Sequence, residues 1–82
     1  MKMNQHTVKL DAFYQRLGIA IQQRREARYM TQEDLASDIG MTRGGYAKIE
    51  SGYSRVSVHG LMNIAHFLGC DAADLLREAE QR

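Results

Sequence analysis

The sequence contains no proline and no tryptophan, a single cysteine, and no long run of apolar residues. One cysteine excludes an internal disulfide, and the missing apolar run excludes a membrane-spanning helix, which needs about 20 such residues. The N-terminus also lacks the apolar core of a secretory signal peptide. These absences predict a soluble, cytoplasmic protein without a membrane partner.

Proline would interrupt helices, so its absence removes the strongest barrier to a helical chain. Apolar residues recur at three- and four-residue spacings, whereas the alternating β-branched runs that indicate strands are few. The 82 residues, 44% of them hydrophobic, suffice for one domain with a modest core. We therefore expect an all-α domain over residues 9–82, preceded by a flexible polar arm at residues 1–8.

The most specific pattern lies in residues 31–52, where two short helices are joined by a tight turn. Thr31 can cap the first helix by accepting a hydrogen bond from a first-turn amide, and Gly40 can end it in a left-handed conformation. Thr42 follows almost at once as the cap of a second helix, which Gly52 closes. Two short helices separated by so brief a turn are typical of a helix-turn-helix.

Three further helices complete the expected fold. The first runs from about Asp11 to Arg28, with an apolar stripe formed by Phe13, Tyr14, Leu17, Ala20 and Ile21. Ser57 caps a fourth helix, and Gly69 ends it. The apolar face of this helix is expected to comprise Val58, Leu61, Met62, Ile64, Ala65 and Leu68. Asp71 caps a fifth helix, and its apolar anchors are Leu75 and Leu76.

The residues from Thr31 to Ala36 (TQEDLA) and from Ile49 to Gly52 (IESG) resemble the helix-turn-helix of the lambda-repressor and Cro-like (XRE-type) family of bacterial and phage regulators. The likeness extends from about Leu17 to about Leu76, which is most of the chain. It implies a compact five-helix domain that regulates transcription, and we expect it to act as a repressor. It also implies that the helix beginning near Thr42, here called the reading helix, enters the major groove of DNA.

The resemblance further implies which residues contact DNA. Base contacts are expected from the outward face of the reading helix, formed by Arg43, Gly44, Ala47 and Lys48. Phosphate contacts, which add affinity without sequence choice, are expected from Gln32, Thr42, Gly45, Tyr53, Ser54 and Arg55. In the family an ion pair joins the first and third helices and fixes the angle of the reading helix; the corresponding residues here are Arg25 and Glu50.

Gly44 and Gly45 depart from the family pattern, which usually has side chains there that read or pack on bases. Two explanations are open. Missing side chains would let the backbone approach DNA closely and leave neighbouring residues to read the bases. Alternatively, the glycine pair reflects a low demand for specificity, or a helix that orders only on DNA. Tyr29 is a second departure, because the family often has glycine there, and it predicts a turn of different shape.

The net charge of +1 is low for a DNA-binding domain. The charges are unevenly spread along the chain, however. Residues 1–30 hold six basic and two acidic residues, whereas residues 61–82 hold two basic and four acidic ones. This distribution predicts a basic face for phosphate and an acidic face that points away from DNA or joins a partner subunit.

We find no pattern of catalytic or metal-binding residues. His66 and Cys70 are four residues apart, but Gly69 ends the helix between them and no second ligand pair follows. None of the histidines, which include His6 and His59, has a serine or cysteine partner at a recognisable spacing. We expect no cofactor, no metal and no enzymatic activity.

The expected partner is a double-stranded DNA operator, read as an inverted repeat by two copies related by a two-fold axis. The homodimer interface is expected in the apolar C-terminal part, at Phe67, Leu75 and Leu76. The alternative function is a protein-interaction module of the same fold, such as an antitoxin or an adaptor subunit with a protein partner. The near-neutral charge and the glycine pair support this alternative.

Overall fold

The computed structural model describes the backbone of residues 5–81 and the side chains of residues 11–81. Within that part of the chain there are five α-helices and no strands. The helices are α1 (Gln5–Ala27), α2 (Gln32–Asp38), α3 (Arg43–Glu50), α4 (Val58–Leu68) and α5 (Ala72–Glu80). The predicted all-α, five-helix architecture is confirmed. No helix among the described residues is long and apolar enough to cross a membrane.

The first helix begins earlier than the sequence predicted. α1 starts at Gln5 rather than near Asp11, and it therefore includes residues 5–8 of the predicted arm. The chain has no proline, and its first glycine is Gly18, so residues 5–10 contain no helix-breaking residue. The rest of the predicted arm, residues 1–4, lies outside the described residues.

Side-chain caps set the starts of α2, α3 and α4, as predicted. Thr31, Thr42 and Ser57 lie in extended backbone, and each accepts a 3.0 Å hydrogen bond from the amide three residues later. At Thr31, the backbone amide also donates to the Asp34 carboxylate at 2.9 Å, which completes a capping box. Gly40 follows α2 with a φ of 74°, the left-handed conformation that allows α3 to begin after so short a turn.

All five helices contribute to one hydrophobic core. α1 contacts α3, α4 and α5, while α2 is held by α3 and α4. The buried apolar residues are Leu17, Ala20, Ile21, Leu35, Ala36, Tyr46, Ile49, Leu61, Ile64, Ala65, Leu68, Leu75 and Ala79, with Phe13 and Tyr14 partly buried beside them. The apolar stripe predicted for α1 therefore faces the core.

Two residues assigned to the apolar face of α4 are not part of the core, and that part of the prediction is wrong. Val58 and Met62 are 78% and 60% exposed. With about 100° of rotation per residue, both lie at one edge of the face buried by Leu61, Ile64 and Leu68. No described helix of the protein covers that edge, so an apolar strip remains on the surface of α4.

α1 and α3 meet without intervening side chains at Gly18. A Cβ on Gly18 would lie only 2.8 Å from the carbonyl oxygen of Ile49, and it would also overlap the carbonyl group of Glu50. Just beyond α3, a Cβ on Gly52 would lie 2.7 Å from the Cα of Gln15. These backbone contacts seat the C-terminal end of α3 directly on α1.

The turn between α1 and α2 contains a residue in the left-handed conformation that glycine favours. Tyr29 has a φ of 58° and is 96% exposed. The turn therefore uses a left-handed residue although the side chain is a tyrosine, which contradicts the predicted change of shape. A left-handed conformation costs a residue with a Cβ roughly 1–2 kcal/mol, so the turn places strain on Tyr29.

Candidate nucleic-acid interface

α3 is amphipathic, and its polar side faces solvent. Tyr46 and Ile49 are buried, and they anchor the helix to the core. The expected base-reading residues lie on the other side, where all are exposed except the half-buried Ala47: Arg43, Gly44, Ala47 and Lys48. α3 therefore offers this outward surface to a partner without any rearrangement of the core.

The two glycines of α3 differ in their surroundings. A Cβ on Gly45 would lie 3.1 Å from the Thr42 hydroxyl oxygen and 3.4 Å from the Met41 methyl carbon. A Cβ on Gly44 would have no heavy atom of the described residues within 4 Å. Both glycines have ordinary helical backbone, since neither has a positive φ. A Cβ at position 45 would therefore be packed tightly against the cap of α3, whereas a Cβ at position 44 would meet no described residue.

A buried hydrogen-bond network centred on Glu50 holds α3 in place. The Glu50 carboxylate, on a residue only 6% exposed, accepts hydrogen bonds from Arg25 Nε at 2.6 Å and Arg25 Nη2 at 3.2 Å. It also accepts from Gln32 Nε2 at 3.0 Å and from the Tyr46 hydroxyl. Arg25 donates in addition to the Met30 carbonyl at 2.6 Å. The network therefore ties α3 to α1, to α2 and to the turn between them.

Sequence reasoning identified Arg25 and Glu50 but missed the two other donors. Tyr46 lies four residues before Glu50, a spacing that places both side chains on one face of α3 and that would have indicated their contact. Gln32 was expected to contact phosphate, and no local pattern indicates its bond to Glu50. A primary amide carries two N–H groups, so Gln32 keeps a second donor besides the one used by Glu50.

The network stabilises the charged form of Glu50. Burial by itself raises the pKa of Glu50, but the hydrogen bonds from Arg25, Tyr46 and Gln32 outweigh burial and lower it below its usual range. The hydrogen bond to Glu50 raises the pKa of Arg25, and burial raises the pKa of Tyr46. At neutral pH the centre of the network is therefore a carboxylate–guanidinium pair that also accepts from a neutral phenol.

The loop that follows α3 folds back beside Lys48. The Ser54 amide donates to the Lys48 carbonyl at 3.0 Å, and the Lys48 ammonium lies 5.8 Å from the centre of the Tyr53 ring. Tyr53 is 81% exposed. Two expected phosphate-contacting residues, Tyr53 and Ser54, thus lie next to one expected base-contacting residue.

Arg55, the third expected phosphate contact in this loop, is already engaged within the protein. Its guanidinium forms an ion pair with Asp11 and lies 4.8 Å from the centre of the Tyr14 ring. Both partners belong to α1, and the sequence did not indicate either contact. The pair is about half exposed, at 48% for Arg55 and 45% for Asp11. A phosphate must therefore share Arg55 with Asp11 or displace the carboxylate.

An open groove of about 660 Å³ runs between α3 and the start of α4. Its lining includes the apolar residues Ile39, Met41, Ile49, Val56 and Ile64 together with Lys48, Arg55, His59 and Asn63. None of the described residues that line the groove is acidic. The groove and the outward face of α3 consequently share Lys48 and form one surface with basic side chains.

The prediction of a basic face separate from an acidic one is wrong, because the basic and acidic segments pack against each other. α5 packs along α1, and Arg24 Nε donates to the Glu78 carboxylate at 2.9 Å. Arg16 Nε donates to the carbonyl of Ala79 at 2.6 Å. Charge counts along the chain do not show which segments pack together, and here the acidic C-terminal segment covers part of the basic N-terminal one. The basic character of the candidate interface instead comes from α3 and its following loop.

One of the three residues expected at a dimer interface cannot serve there. Leu75 is completely buried in the protomer's own core, whereas Phe67 and Leu76 are 38% and 36% exposed. Leu75 and Ala79 are one helical turn apart and face inward, and Leu76 points about 100° away from Leu75. The prediction is therefore corrected for Leu75, while Phe67 and Leu76 stay accessible to a partner.

Comparisons with known proteins agree with this geometry. The sequence model of the helix-turn-helix family HTH_3 matches residues 21–75. Two solved structures of the clp gene regulator ClgR from Corynebacterium glutamicum are similar to the chain, each with a TM-score of 0.79 and 31% sequence identity. The similarity covers 82% of this chain and 71% and 86% of the two ClgR chains. No curated protein matches the chain at a significant level.

Proposed function

The chain belongs to the HTH_3 family of helix-turn-helix DNA-binding transcriptional regulators, and on that premise we propose that it represses transcription by binding a specific operator as a homodimer. The observation that carries the proposal is the outward face of α3, a capped helix fixed by the buried Glu50 network. The similarity to ClgR, itself described as a gene regulator, supports the regulatory role. The protein's own promoter is the first operator to test.

α3 is the helix that we place in the major groove. Arg43 lies in its first turn and is exposed, so its guanidinium can make a two-pronged contact to guanine. Lys48 is five residues further on, about 140° around the helix from Arg43, and it is also exposed, so it can reach a base edge or a phosphate. Gly44 and Ala47 lie between them, and the Ala47 methyl group suits contact with a thymine methyl group.

The remaining expected contacts surround α3 and suit the two adjacent phosphate backbones. Gln32 retains one amide donor at the start of α2, and Thr42 and Gly45 form the start of α3. Beyond α3, the exposed loop supplies Tyr53, Ser54 and Arg55. Phosphate contacts at both ends of α3 would fix its depth and angle in the groove without reading sequence.

Selection of binding sites from a random duplex DNA library tests this function. We expect one enriched inverted repeat, bound about a thousandfold more tightly than scrambled DNA at physiological salt. Arg43→Ala should weaken binding to the repeat by about tenfold or more, because it removes a base contact. Arg77→Ala is the matched control: it removes the same charge from the exposed face of α5, and its binding should be unchanged.

A protein-interaction module remains the second candidate, since α4 exposes Val58 and Met62 without a partner in the protomer. Failure to enrich any sequence, together with weak and strongly salt-dependent binding to all duplexes, would favour this candidate. Enrichment of a specific repeat with loss of binding in Arg43→Ala would favour the operator-binding regulator.

A further inference from the structure

Gly44 weakens α3 without any benefit to the fold. In a helix, glycine is less stable than alanine because it has more backbone freedom to lose on folding. A glycine is usually found despite this cost for one of two reasons: a side chain would clash, or φ is positive. Neither reason applies to Gly44, since its backbone is helical and the described residues leave the space around a Cβ empty to 4 Å.

Gly45 has tighter surroundings than Gly44. Its Cβ would press against the Thr42 hydroxyl that caps α3, at 3.1 Å. The Thr42 oxygen accepts from the Gly45 amide at 3.0 Å, so it has little freedom to move away. Gly44, one residue earlier, points away from the cap and from the core.

The position of Gly44 matters because of its neighbours. It lies on the exposed surface of α3 between Arg43 and Lys48, the two cations of the proposed base-reading surface. A partner that contacts both cations lies over the surface between them, which the half-buried Ala47 and the exposed Gly44 form. Because Gly44 has no side chain, the backbone of α3 itself forms the surface at the centre of the proposed contact.

We infer that Gly44 is a specificity-determining residue whose missing Cβ lets the backbone of α3 pack directly against the base edges of the operator. This inference rests on the proposed DNA-binding function and deepens it. Close approach brings Arg43 and Lys48 to their bases from either side, and it restricts the operator to bases that leave room for the backbone. A methyl group at position 44 would hold the helix away from the groove and weaken both flanking contacts.

The test is Gly44→Ala, measured for stability and for binding. The thermal midpoint should rise by about 2–8 °C, as expected for a glycine-to-alanine change in a compatible helical position of a small domain. Affinity for the selected operator should nevertheless fall by about tenfold or more, comparable to the loss of a base contact. Affinity for scrambled DNA, which depends on phosphate contacts, should change less than about twofold.

Ala73→Gly is the matched control, because it makes the reverse change at an exposed position of α5. It should lower the thermal midpoint and leave operator affinity unchanged, which separates helix stability from binding. A second site selection with Gly44→Ala should change the preferred bases at one or two adjacent positions only.

The inference is overturned if Gly44→Ala binds the wild-type operator as tightly as the wild type, or if its thermal midpoint falls. The wild-type titration tests the proposed function separately. If the wild type selects no operator, the proposed function itself fails, whereas a specific wild type with an equally specific Gly44→Ala variant removes only the role of Gly44.

Discussion

At the scale of single residues, Glu50 contributes more to holding the helices together than any other charged group in the described chain. Its carboxylate is buried and receives hydrogen bonds from three side chains on three helices. Glu50→Ala would leave the Arg25 guanidinium buried without its counter-charge, and we expect a loss of about 3–5 kcal/mol in the free energy of unfolding. Urea denaturation measures it. Glu80→Ala, at the exposed end of α5, is the control, and a loss below about 1 kcal/mol in Glu50→Ala would contradict the structure.

The lowered pKa of Glu50 also predicts how stability depends on pH. Because the pKa is lower in the folded protein than in the unfolded chain, the stabilisation is complete above the unfolded value of about 4.3. It disappears as the pH falls further, through the folded value. Glu50→Gln removes the titrating group, so its stability should decline less steeply than that of the wild type below about pH 4.5. Parallel curves for the two proteins, from thermal melts across pH 2–7, would count against this prediction.

The ion pair between Asp11 and Arg55 predicts a gain in DNA affinity when it is broken. Asp11→Asn frees Arg55 for phosphate and removes a repelling carboxylate, and we expect about threefold tighter binding at low salt, as for an exposed pair. Added salt should reduce the gain by screening. In an Arg55→Ala background, Asp11→Asn should have a smaller effect. Equal effects in both backgrounds would show that Asp11 does not act through Arg55.

At the scale of helices, the seating of α3 on α1 depends on backbone contact at Gly18. Gly18→Ala places a methyl group against the carbonyl groups of Ile49 and Glu50, and we expect about 1–3 kcal/mol of destabilisation from overpacking. The matched control is Gly44→Ala, the same change at an uncrowded helical position, which should stabilise the protein. Thermal melts that shift in the same direction for both variants would refute the close packing of α1 on α3.

Helix limits were predictable from sequence where the signal is local. Thr31, Thr42 and Ser57 cap their helices because each hydroxyl oxygen can accept a hydrogen bond from a first-turn amide, and all three bonds are present. Contacts between distant segments were not predictable in the same way. The Asp11–Arg55 pair, 44 residues apart in sequence, arises from the packing of the α3–α4 loop on α1, and no local pattern indicates it.

The same limit applies to faces of helices. The apolar spacing on α4 is equally compatible with burial of Val58 and Met62 or with their exposure, because periodicity does not say how wide a face the neighbouring helices cover. Leu75 and Leu76 are adjacent, so composition alone could not tell which of them enters the core. The ion pair of Arg25 and Glu50 was accessible only through resemblance to a family.

At the scale of the whole molecule, one protomer is too small to read a long operator. The described residues measure 39 × 24 × 20 Å, and the 8-residue α3 spans only a few base pairs. The proposed homodimer uses the exposed Phe67 and Leu76. Sedimentation at micromolar concentration should show a species of twice 9.3 kDa, and Phe67→Ser with Leu76→Ser should shift it to the monomer without loss of helix content. A wild type that sediments only as a monomer would contradict the dimer.

Dimeric binding also constrains the spacing of the operator. Two α3 helices on one face of DNA require half-sites about one helical turn, or roughly 34 Å, apart, a distance that two protomers of this size can span side by side. Insertion of 5 base pairs between the half-sites rotates them to opposite faces of the duplex. We expect the affinity, measured by gel shift, to fall to that of an isolated half-site. The variant with Phe67→Ser and Leu76→Ser, which is expected to be monomeric, should be insensitive to the insertion. If the insertion leaves wild-type affinity unchanged, each half-site binds its protomer independently, and the two-fold arrangement is wrong.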